Sequence, residues 1–258
     1  MGLNRYFVPN LPSAGPVLLP PDESHHALRV RRETVGASCI AFDGLGNQAS
    51  CRIAHFTKRD VTIEVESFRF EPNVLPGTLT LAVAMPKGDR QKAVIEKAVE
   101  LGVHELIPII CFRSVSLPNE TVSEKWGRTV IEACKQCERN QLMTIHKPCS
   151  LESLLQTAPV AALSGSDSSV HMFAHPSVDF QRATSVASLY DPIEAKVSRI
   201  TIAIGPEGGF TDAEVESARQ SQWQQLDLGS RILRVETAVS VAAVFASLRL
   251  MTEASALR

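Results

Sequence analysis

Two glycine corners near the end of the chain hold the residues whose types and spacing could do chemistry. The first corner, IGPEGGF (Ile204–Phe210), follows a β-branched run that predicts a buried strand. Thr211 and Glu214 then form a capping box that opens a helix. A strand, a glycine loop and a helix in this order form a ligand-binding corner of an α/β sheet. The stretch therefore predicts a binding site, with a turn that only reverses the chain as the alternative.

The charge of the first corner argues against a phosphate ligand. Helix N-termini favour anions, which makes phosphate the first ligand to consider. Glu207 would repel a phosphate, however, and the glycines lack the lysine and the serine or threonine of a P-loop. A phosphate- or nucleotide-binding enzyme is therefore disfavoured, and the residues alone leave the ligand open.

The second corner, LDLGSRILRVETA (Leu226–Ala238), repeats the order of strand, glycine turn and helix. Its apolar residues are interleaved with Arg231, Arg234 and Glu236. An exposed loop rarely needs such alternation, whereas a loop that turns its backbone toward a ligand inside the protein would. The charged residues are candidates for substrate chemistry, and a plain salt-bridge network is the alternative.

Two further clusters invite a functional interpretation. HHALRVRR (His25–Arg32) concentrates three arginines and two histidines, which could contact RNA phosphates or form a solvated face. CKQC (Cys134–Cys137) falls within a predicted helix, and no second cysteine pair stands at zinc spacing. We interpret it as core packing, and no metal site is predicted.

Composition and charge bound the class of protein. The 258 residues suit one large domain or two small ones, and 44% hydrophobic with 21% charged residues is typical of soluble proteins. The formal net charge of −2 means that a nucleic acid must meet a local basic patch. Six irregularly spaced cysteines predict reduced thiols and a cytoplasmic location. We expect that no apolar stretch approaches the length of a membrane span, and the N-terminus lacks the apolar core of a secretory signal.

The residue patterns divide the chain into a β region and an α/β region. Up to about residue 70, short strands and a hairpin signal at Asp43–Asn47 predict a small β-barrel. Glu71–Gly77, with two prolines and a glycine, is the predicted linker. After it, strands alternate with helices, which predicts a mostly parallel sheet. The last helix, Thr237–Leu250, is rich in small apolar residues that suit either a homodimer surface or the core of one chain.

Together the two corners resemble a known family. IGPEGGF followed by LGSRILRVETA is similar to the SPOUT class of knotted RNA methyltransferases and, more narrowly, to the ribosomal RNA small subunit methyltransferase E family. HALRVRR, the FDG hairpin, EKAVELGV, EACKQCERN and the pair His175–Pro176 add to the resemblance. It implies an α/β fold with a PUA-like, RNA-binding β-barrel over residues 1–72. A SPOUT methyltransferase domain with a C-terminal trefoil knot would follow over residues 77–258.

The resemblance also implies a reaction and its cofactor. The family methylates N3 of a uridine in small-subunit (16S) ribosomal RNA with S-adenosylmethionine. The resemblance also implies a homodimer, as in SPOUT relatives, that acts in the cytoplasm on RNA within a ribosomal particle. The cofactor would bind against both corners. The implied cofactor-binding residues are Ile204, Gly205, Pro206, Glu207, Gly208, Gly209, Leu228, Gly229, Ser230, Arg231, Ile232 and Leu233.

Catalytic and RNA-binding roles follow from the same resemblance. Uridine N3 reacts only after losing its proton, so Glu236 or Glu207 would accept that proton. Arg234 would stabilise charge on the flanking carbonyl oxygens, with Arg231 as a second cation. The implied RNA-binding residues are Arg29, Arg31, Arg32 and, more weakly, Arg5.

Val235 departs from the family pattern, which usually has threonine at this position. Valine has no hydroxyl with which this position could contact substrate or cofactor. It also gives weight to an alternative, a non-catalytic RNA-binding or ribosome-assembly module of the same fold. Between Ser164 and His175 the chain is longer than is usual in the family.

Overall fold

A computed structural model describes residues 3–115, 120–157, 168–176, 184–185 and 197–255. The chain divides into two compact units. The first comprises Met1–Val74 and Ile131–Leu142, and the second comprises Leu75–Val130 and Met143–Arg258. Of the segment between Ser164 and His175 that is longer than usual in the family, residues 164–167 lie outside the described residues and residues 168–175 are described.

The first unit is built on a five-stranded sheet with the order β1-β3-β4-β5-β2. The β4 strand pairs antiparallel with β3 and with β5, β2 pairs antiparallel with β5, and β1 runs parallel to β3. The closure of this sheet into a barrel stays a prediction. The strands are β1 (Asn4–Phe7), β2 (Gly15–Leu18), β3 (Ser38–Phe42), β4 (Asn47–Phe56) and β5 (Val61–Phe70).

The predicted hairpin is confirmed between β3 and β4. The Asp43 carboxylate accepts hydrogen bonds from the backbone N–H of Leu45 at 2.7 Å and of Asn47 at 3.0 Å. Gly44 and Gly46 both take positive φ in the turn. An aspartate that bonds its own following backbone, together with glycines at positive φ, is the chemistry that closes tight turns.

The prediction of strands throughout the first seventy residues is wrong for residues 21–31. Pro21–His25 form α1, and His26–Arg31 form one turn of π-helix. Proline is favoured at the first position of a helix, where its missing N–H costs no hydrogen bond. The π-helix ends at Arg32, which has a φ of 52° and donates its N–H to the Ala27 carbonyl. This helical segment is too short to produce a readable periodicity.

The end of α3 (Glu120–Cys137) belongs to the first unit. Lys135 Nζ lies 3.0 Å from Glu23 Oε2, and the two side chains are only 9% and 8% exposed. Asn140, just beyond the helix, accepts a hydrogen bond from Arg5 and donates one to the Glu71 carbonyl. A segment from the middle of the chain thus completes the N-terminal unit. The domain limits 1–72 and 77–258 stay a prediction.

The second unit is built on an eight-stranded sheet in which every described pair of strands is parallel. The strand order is β11-β13-β10-β12-β6-β7-β8, with β9 paired to β7. This confirms the predicted parallel sheet. Its strands are β6 (Thr78–Val83), β7 (Glu105–Ile110), β8 (Thr144–Ile145), β9 (Cys149–Ser150), β10 (Ser168–Ala174), β11 (Thr184–Ser185), β12 (Val197–Ile204) and β13 (Gln224–Asp227).

Helices cover the sheet of the second unit. Near the end of β12, Ile202, Ala203 and Ile204 are all buried, as expected for a parallel strand covered on both faces. The helices of this unit are α2 (Arg90–Glu100), α4 (Leu151–Thr157), α5 (Asp212–Gln220), α6 (Val235–Ser255) and the first part of α3.

The apolar character of α6 is explained by its place in the core. The window Val235–Thr252 is long and apolar enough for a membrane span, with a mean hydropathy of 1.4, so the expectation that no stretch reaches this length was wrong. Half of the window is buried inside the protein, and Ala242, Ala243 and Ala246 are fully buried. The helix packs against α2, β6 and β12. Small residues here permit close packing between helix and sheet.

The buried ion pair of the first unit yields a stability prediction. Burial raises the pKa of the Glu23 carboxyl, and Lys135 beside it opposes that shift. We expect Lys135→Met to lower the free energy of unfolding by about 3–5 kcal/mol near neutral pH, because it leaves a buried carboxylate without its cation. Urea unfolding followed by circular dichroism measures the loss.

The pH dependence gives this prediction its sign. With Lys135 removed, the folded-state pKa of Glu23 lies further above its unfolded value. The group then stabilises the fold only while it is protonated, so the deficit should be small near about pH 4 and grow as the pH rises. Lys97→Met, which breaks the exposed pair with Glu100, is the control and should change stability little. If Lys135→Met lost as much stability near about pH 4 as near neutral pH, the deficit would not come from the Glu23 carboxylate.

Candidate functional site

Three neighbouring parallel strands end at one edge of the second sheet and define a cavity of about 290 Å³. The strands are β13, β10 and β12, whose last residues are Asp227, Ala174 and Ile204. Loops at the carboxyl ends of parallel strands are the usual ligand-binding positions of such sheets. The lining residues are Arg113, Ala174, His175, Pro176, Ile204, Gly205, Pro206, Glu207, Gly208, Gly209, Phe210, Asp227, Leu228, Gly229, Arg231, Ile232, Leu233, Val235 and Ala238.

The cavity brings together the two corners that the sequence singled out. Every residue predicted to bind the cofactor lines it, with the exception of Ser230. Ala174 at the end of β10 and the loop residues His175 and Pro176, which follow it, form a further part of the wall. The sequence noted His175–Pro176 only as a family match, because the place of β10 between β12 and β13 follows from strand order and not from any local pattern.

The first corner has a fixed backbone and little room for side chains. The N–H of Gly209 donates to the Pro206 carbonyl at 2.8 Å, and Gly209 has a φ of +69°. A Cβ added to Gly205 would lie 3.2 Å from the ring of Phe210, which is itself buried. Glycine at position 205 therefore lets the backbone itself form part of the cavity wall.

The predicted capping box after the first corner is confirmed. The Thr211 hydroxyl accepts a hydrogen bond from the Glu214 N–H at 3.2 Å, and Glu214 Oε2 accepts one from the Thr211 N–H at 2.7 Å. Two of the N–H groups that a helix end leaves without partners are thereby satisfied. The cap fixes the point at which the corner turns into α5.

The second corner is held by an aspartate at the end of β13. Asp227 is buried, and its Oδ1 accepts a hydrogen bond from the N–H of Gly229 at 2.8 Å. Gly229 has a φ of +113°, a conformation that side-chain-bearing residues rarely adopt. Sequence reasoning did not assign Asp227 a role, although an aspartate two residues before a glycine is a turn signal.

Two arginines from outside the two corners bind to residues of the first corner. Arg90 Nη2 lies 2.9 Å from Glu207 Oε1, and Arg113 Nη1 donates to the Gly208 carbonyl at 2.7 Å. Arg113 also lines the cavity, whereas Arg90 comes from the start of α2. Neither residue was singled out in the sequence, because each becomes a neighbour of the corner only through the order of strands in the sheet.

The predicted catalytic residues occupy different positions around the cavity. Glu207 lines it, whereas Arg234 and Glu236 are absent from its wall. Arg234 is exposed and precedes α6, and Glu236 lies half-buried in its first turn. Glu236 Oε2 is buried and has no hydrogen-bond partner among the described residues. Val235, between the two, is buried and contributes an apolar group to the wall.

His175 adds a neutral imidazole to the wall. The backbone N–H of His175 donates to the Leu226 carbonyl at 3.0 Å, which joins the β10 loop to β13. Burial lowers the pKa of the His175 side chain, and Arg219 lowers it further by charge repulsion. The ring is therefore uncharged near neutral pH.

The residues predicted to bind RNA lie in the first unit and differ in their surroundings. Arg29, Arg31 and Arg32 are exposed on and just after the π-helix. Arg5 is half-buried, lies 5.3 Å over the ring of Phe42 and donates a hydrogen bond to Asn140. Burial lowers the pKa of Arg5. A phosphate would have to displace these partners of Arg5, whereas the exposed arginines stand open to solvent.

The cysteines of CKQC are part of α3. Cys134 is buried, and Cys137 is half-buried. Within the described ranges, no group of three histidine, cysteine, aspartate or glutamate residues could hold a metal ion.

Comparison with protein families defines the class of this protein. The model of an RNA methyltransferase domain matches residues 73–247, and that of an RNA methyltransferase PUA domain matches residues 19–66. The chain is thus an RNA methyltransferase-type protein with an N-terminal PUA domain. A curated relative, ribosomal RNA small subunit methyltransferase E of Bacillus subtilis, is 30% identical over 92% of this chain and 93% of its own length. The chain belongs to the ribosomal RNA small subunit methyltransferase E family.

Solved structures agree with this assignment. Ribosomal RNA small subunit methyltransferase E of Neisseria gonorrhoeae, bound to S-adenosylmethionine, is 28% identical and superposes with a TM-score of 0.80 over 94% of this chain and 95% of its own. A Legionella pneumophila protein solved with bound S-adenosylmethionine is 26% identical, with a TM-score of 0.81 over 98% of both chains. The trefoil knot stays a prediction.

Proposed function

We propose that the chain transfers a methyl group from S-adenosylmethionine to N3 of a uridine in small-subunit ribosomal RNA. The observation that carries the proposal is the cavity at the ends of β13, β10 and β12, where both glycine corners meet. Membership of the methyltransferase E family supports the reaction class, and the Neisseria relative bound to S-adenosylmethionine supports the cofactor.

The cavity has the chemistry that S-adenosylmethionine requires. Its walls are largely glycine-loop backbone and apolar groups such as Leu233 and Val235. Backbone N–H and C=O groups can read the edge of an adenine, and Gly205, which has no side chain, leaves its backbone groups uncovered in the wall. The negative charge of Glu207 would attract the sulfonium cation, whereas it would repel a phosphate. The residues proposed to hold the cofactor are those of the ranges 204–209 and 228–233.

When bound, S-adenosylmethionine supplies the activated methyl group, and the chain must position and deprotonate the uridine. We assign proton acceptance to Glu236, because its buried Oε2 has no partner among the described residues. Glu207 is the weaker candidate, since its carboxylate is already paired with Arg90. Exposed Arg234 would stabilise the negative charge that develops on the uridine carbonyl oxygens, with Arg231 as a second cation.

The first unit is proposed to bind the RNA. Arg29, Arg31 and Arg32 form an exposed cationic group in a chain whose net charge is slightly negative. Phosphate contacts by such groups supply much of the affinity for RNA and fix its register on the protein. A homodimer acting in the cytoplasm on a ribosomal particle completes the proposal, as the family resemblance implies.

Transfer of a labelled methyl group to small-subunit RNA tests the function. The substrate would come from cells that lack the corresponding gene, and digestion with mass spectrometry would identify the product. We expect 3-methyluridine with the wild-type protein. Glu236→Gln should lower kcat at least about 100-fold, the range for loss of a general base.

Glu207→Gln is the matched control, because it removes the same charge from a carboxylate that already has a cationic partner. It should weaken cofactor binding more than it lowers kcat. Full activity of both variants would remove the proton-acceptor assignment. Absence of methyl transfer by the wild-type protein to free RNA and to small subunits would contradict the proposed function.

Neutralising the arginines of the first unit should weaken RNA binding and its salt dependence together. For Arg29→Gln/Arg31→Gln/Arg32→Gln we expect the slope of log affinity against log salt to fall by roughly two units, since each phosphate contact contributes about 0.7–0.9. Lys58→Gln/Arg59→Gln, exposed in the same unit, is the control and should change the slope little. Affinity for S-adenosylmethionine should stay constant in both variants. If the triple arginine variant lost as much affinity for S-adenosylmethionine as for RNA, the three arginines would have a structural role.

A further inference from the structure

An exposed aromatic side chain stands next to the cavity wall. Phe112, in the turn that follows β7, is 85% exposed. A single exposed apolar residue is ordinary on a protein surface. Two features distinguish Phe112, namely the hydrogen bonds that fix its backbone and its place beside Arg113, which lines the cavity.

The backbone of Phe112 is anchored from two sides. Its N–H donates to Glu214 Oε1 at 2.8 Å, and the other oxygen of the same carboxylate caps α5 through Thr211. Within the turn, the Cys111 N–H donates to the Ser114 hydroxyl at 2.8 Å, and the Ser114 N–H donates to the Cys111 carbonyl at 3.0 Å. The ring is therefore held in solvent by a backbone that is already ordered. Such preorganisation lowers the entropic cost of binding.

The surroundings of Phe112 favour a nucleic acid over an apolar partner. Arg113, the next residue, reaches across to the Gly208 carbonyl at 2.7 Å. The second corner adds the exposed Arg231 and Arg234, and between them Ile232 is 92% exposed on the cavity wall. Exposed arginines interleaved with apolar and aromatic groups are typical of surfaces that bind single-stranded nucleic acid. A second protein surface would instead need a continuous apolar patch.

We propose that Phe112 is a positioning residue that stacks on an unpaired base of the RNA substrate. The inference rests on the proposed function, since it takes the cavity to be the site of methyl transfer. Every base offers a π-face, and stacking on an aromatic side chain stabilises single-stranded RNA without reading its sequence. A base fixed beside the first corner would orient the neighbouring backbone for transfer at the cavity.

Substitutions at position 112 separate stacking from apolar contact. We expect Phe112→Leu and Phe112→Ala to raise the KM for RNA about 5- to 100-fold, the factor that stacking of one base supplies. Phe112→Trp should keep KM close to wild type, because it retains an aromatic face. Val115→Ala, which trims a half-exposed apolar side chain of the same segment, is the matched control and should have no effect. Methyl transfer at varied RNA concentration provides the KM and kcat.

Two companion measurements decide between outcomes. Calorimetric affinity for S-adenosylmethionine should be unchanged in all four variants, and sedimentation should show an unchanged association state. If Phe112→Leu is active and its KM equals that of the wild type, the inference is overturned and the proposed function stands. A changed association state would mean that Phe112 lies in a contact between two copies of the chain, and this result also overturns the inference. A wild-type protein without methyl transfer is a failure of the proposed function, and the inference falls with it.

Discussion

The site depends on one constraint, the adjacency of β13, β10 and β12 in a parallel sheet. Parallel strands point the same way, so the loops that follow them must emerge at the same edge. Two glycine corners that are separated in sequence, together with the loop at His175, thereby surround one cavity. Without this strand order, each corner would be an isolated turn with no ligand to bind.

The charges around the cavity follow from the same arrangement. Ordering of the sheet brings Arg90 to Glu207 and Arg113 to Gly208, so the glycine loop is fixed by groups from α2 and from the turn after β7. Glu207 is thereby engaged, while Glu236 retains a buried oxygen without a partner among the described residues. In the proposed reaction, one carboxylate would face the cofactor cation and a second would accept the proton of the uridine. The two glutamates can divide these tasks.

Sequence alone predicted the elements with strong local signals. The hairpin at Asp43, the capping box at Thr211 and the parallel sheet were predicted because each depends on nearby residues or on regular alternation. The π-helix was missed, since one short helical turn leaves no periodic pattern. The roles of Arg90 and Arg113 were missed because they depend on strand order. For the stretch Val235–Thr252, composition alone cannot separate two explanations. Its length and apolar residues suit a membrane span, but the packing of α6 against β6 and β12 explains the same residues.

Calorimetric titration would show whether the cavity between the two corners binds S-adenosylmethionine. We expect binding of S-adenosylmethionine with no detectable binding of ATP or GTP. We also expect loss of that binding in Gly205→Val, whose side chain would collide with the ring of Phe210. Binding of a nucleoside triphosphate in place of S-adenosylmethionine, or full affinity in Gly205→Val, would show that the cavity is not the cofactor site.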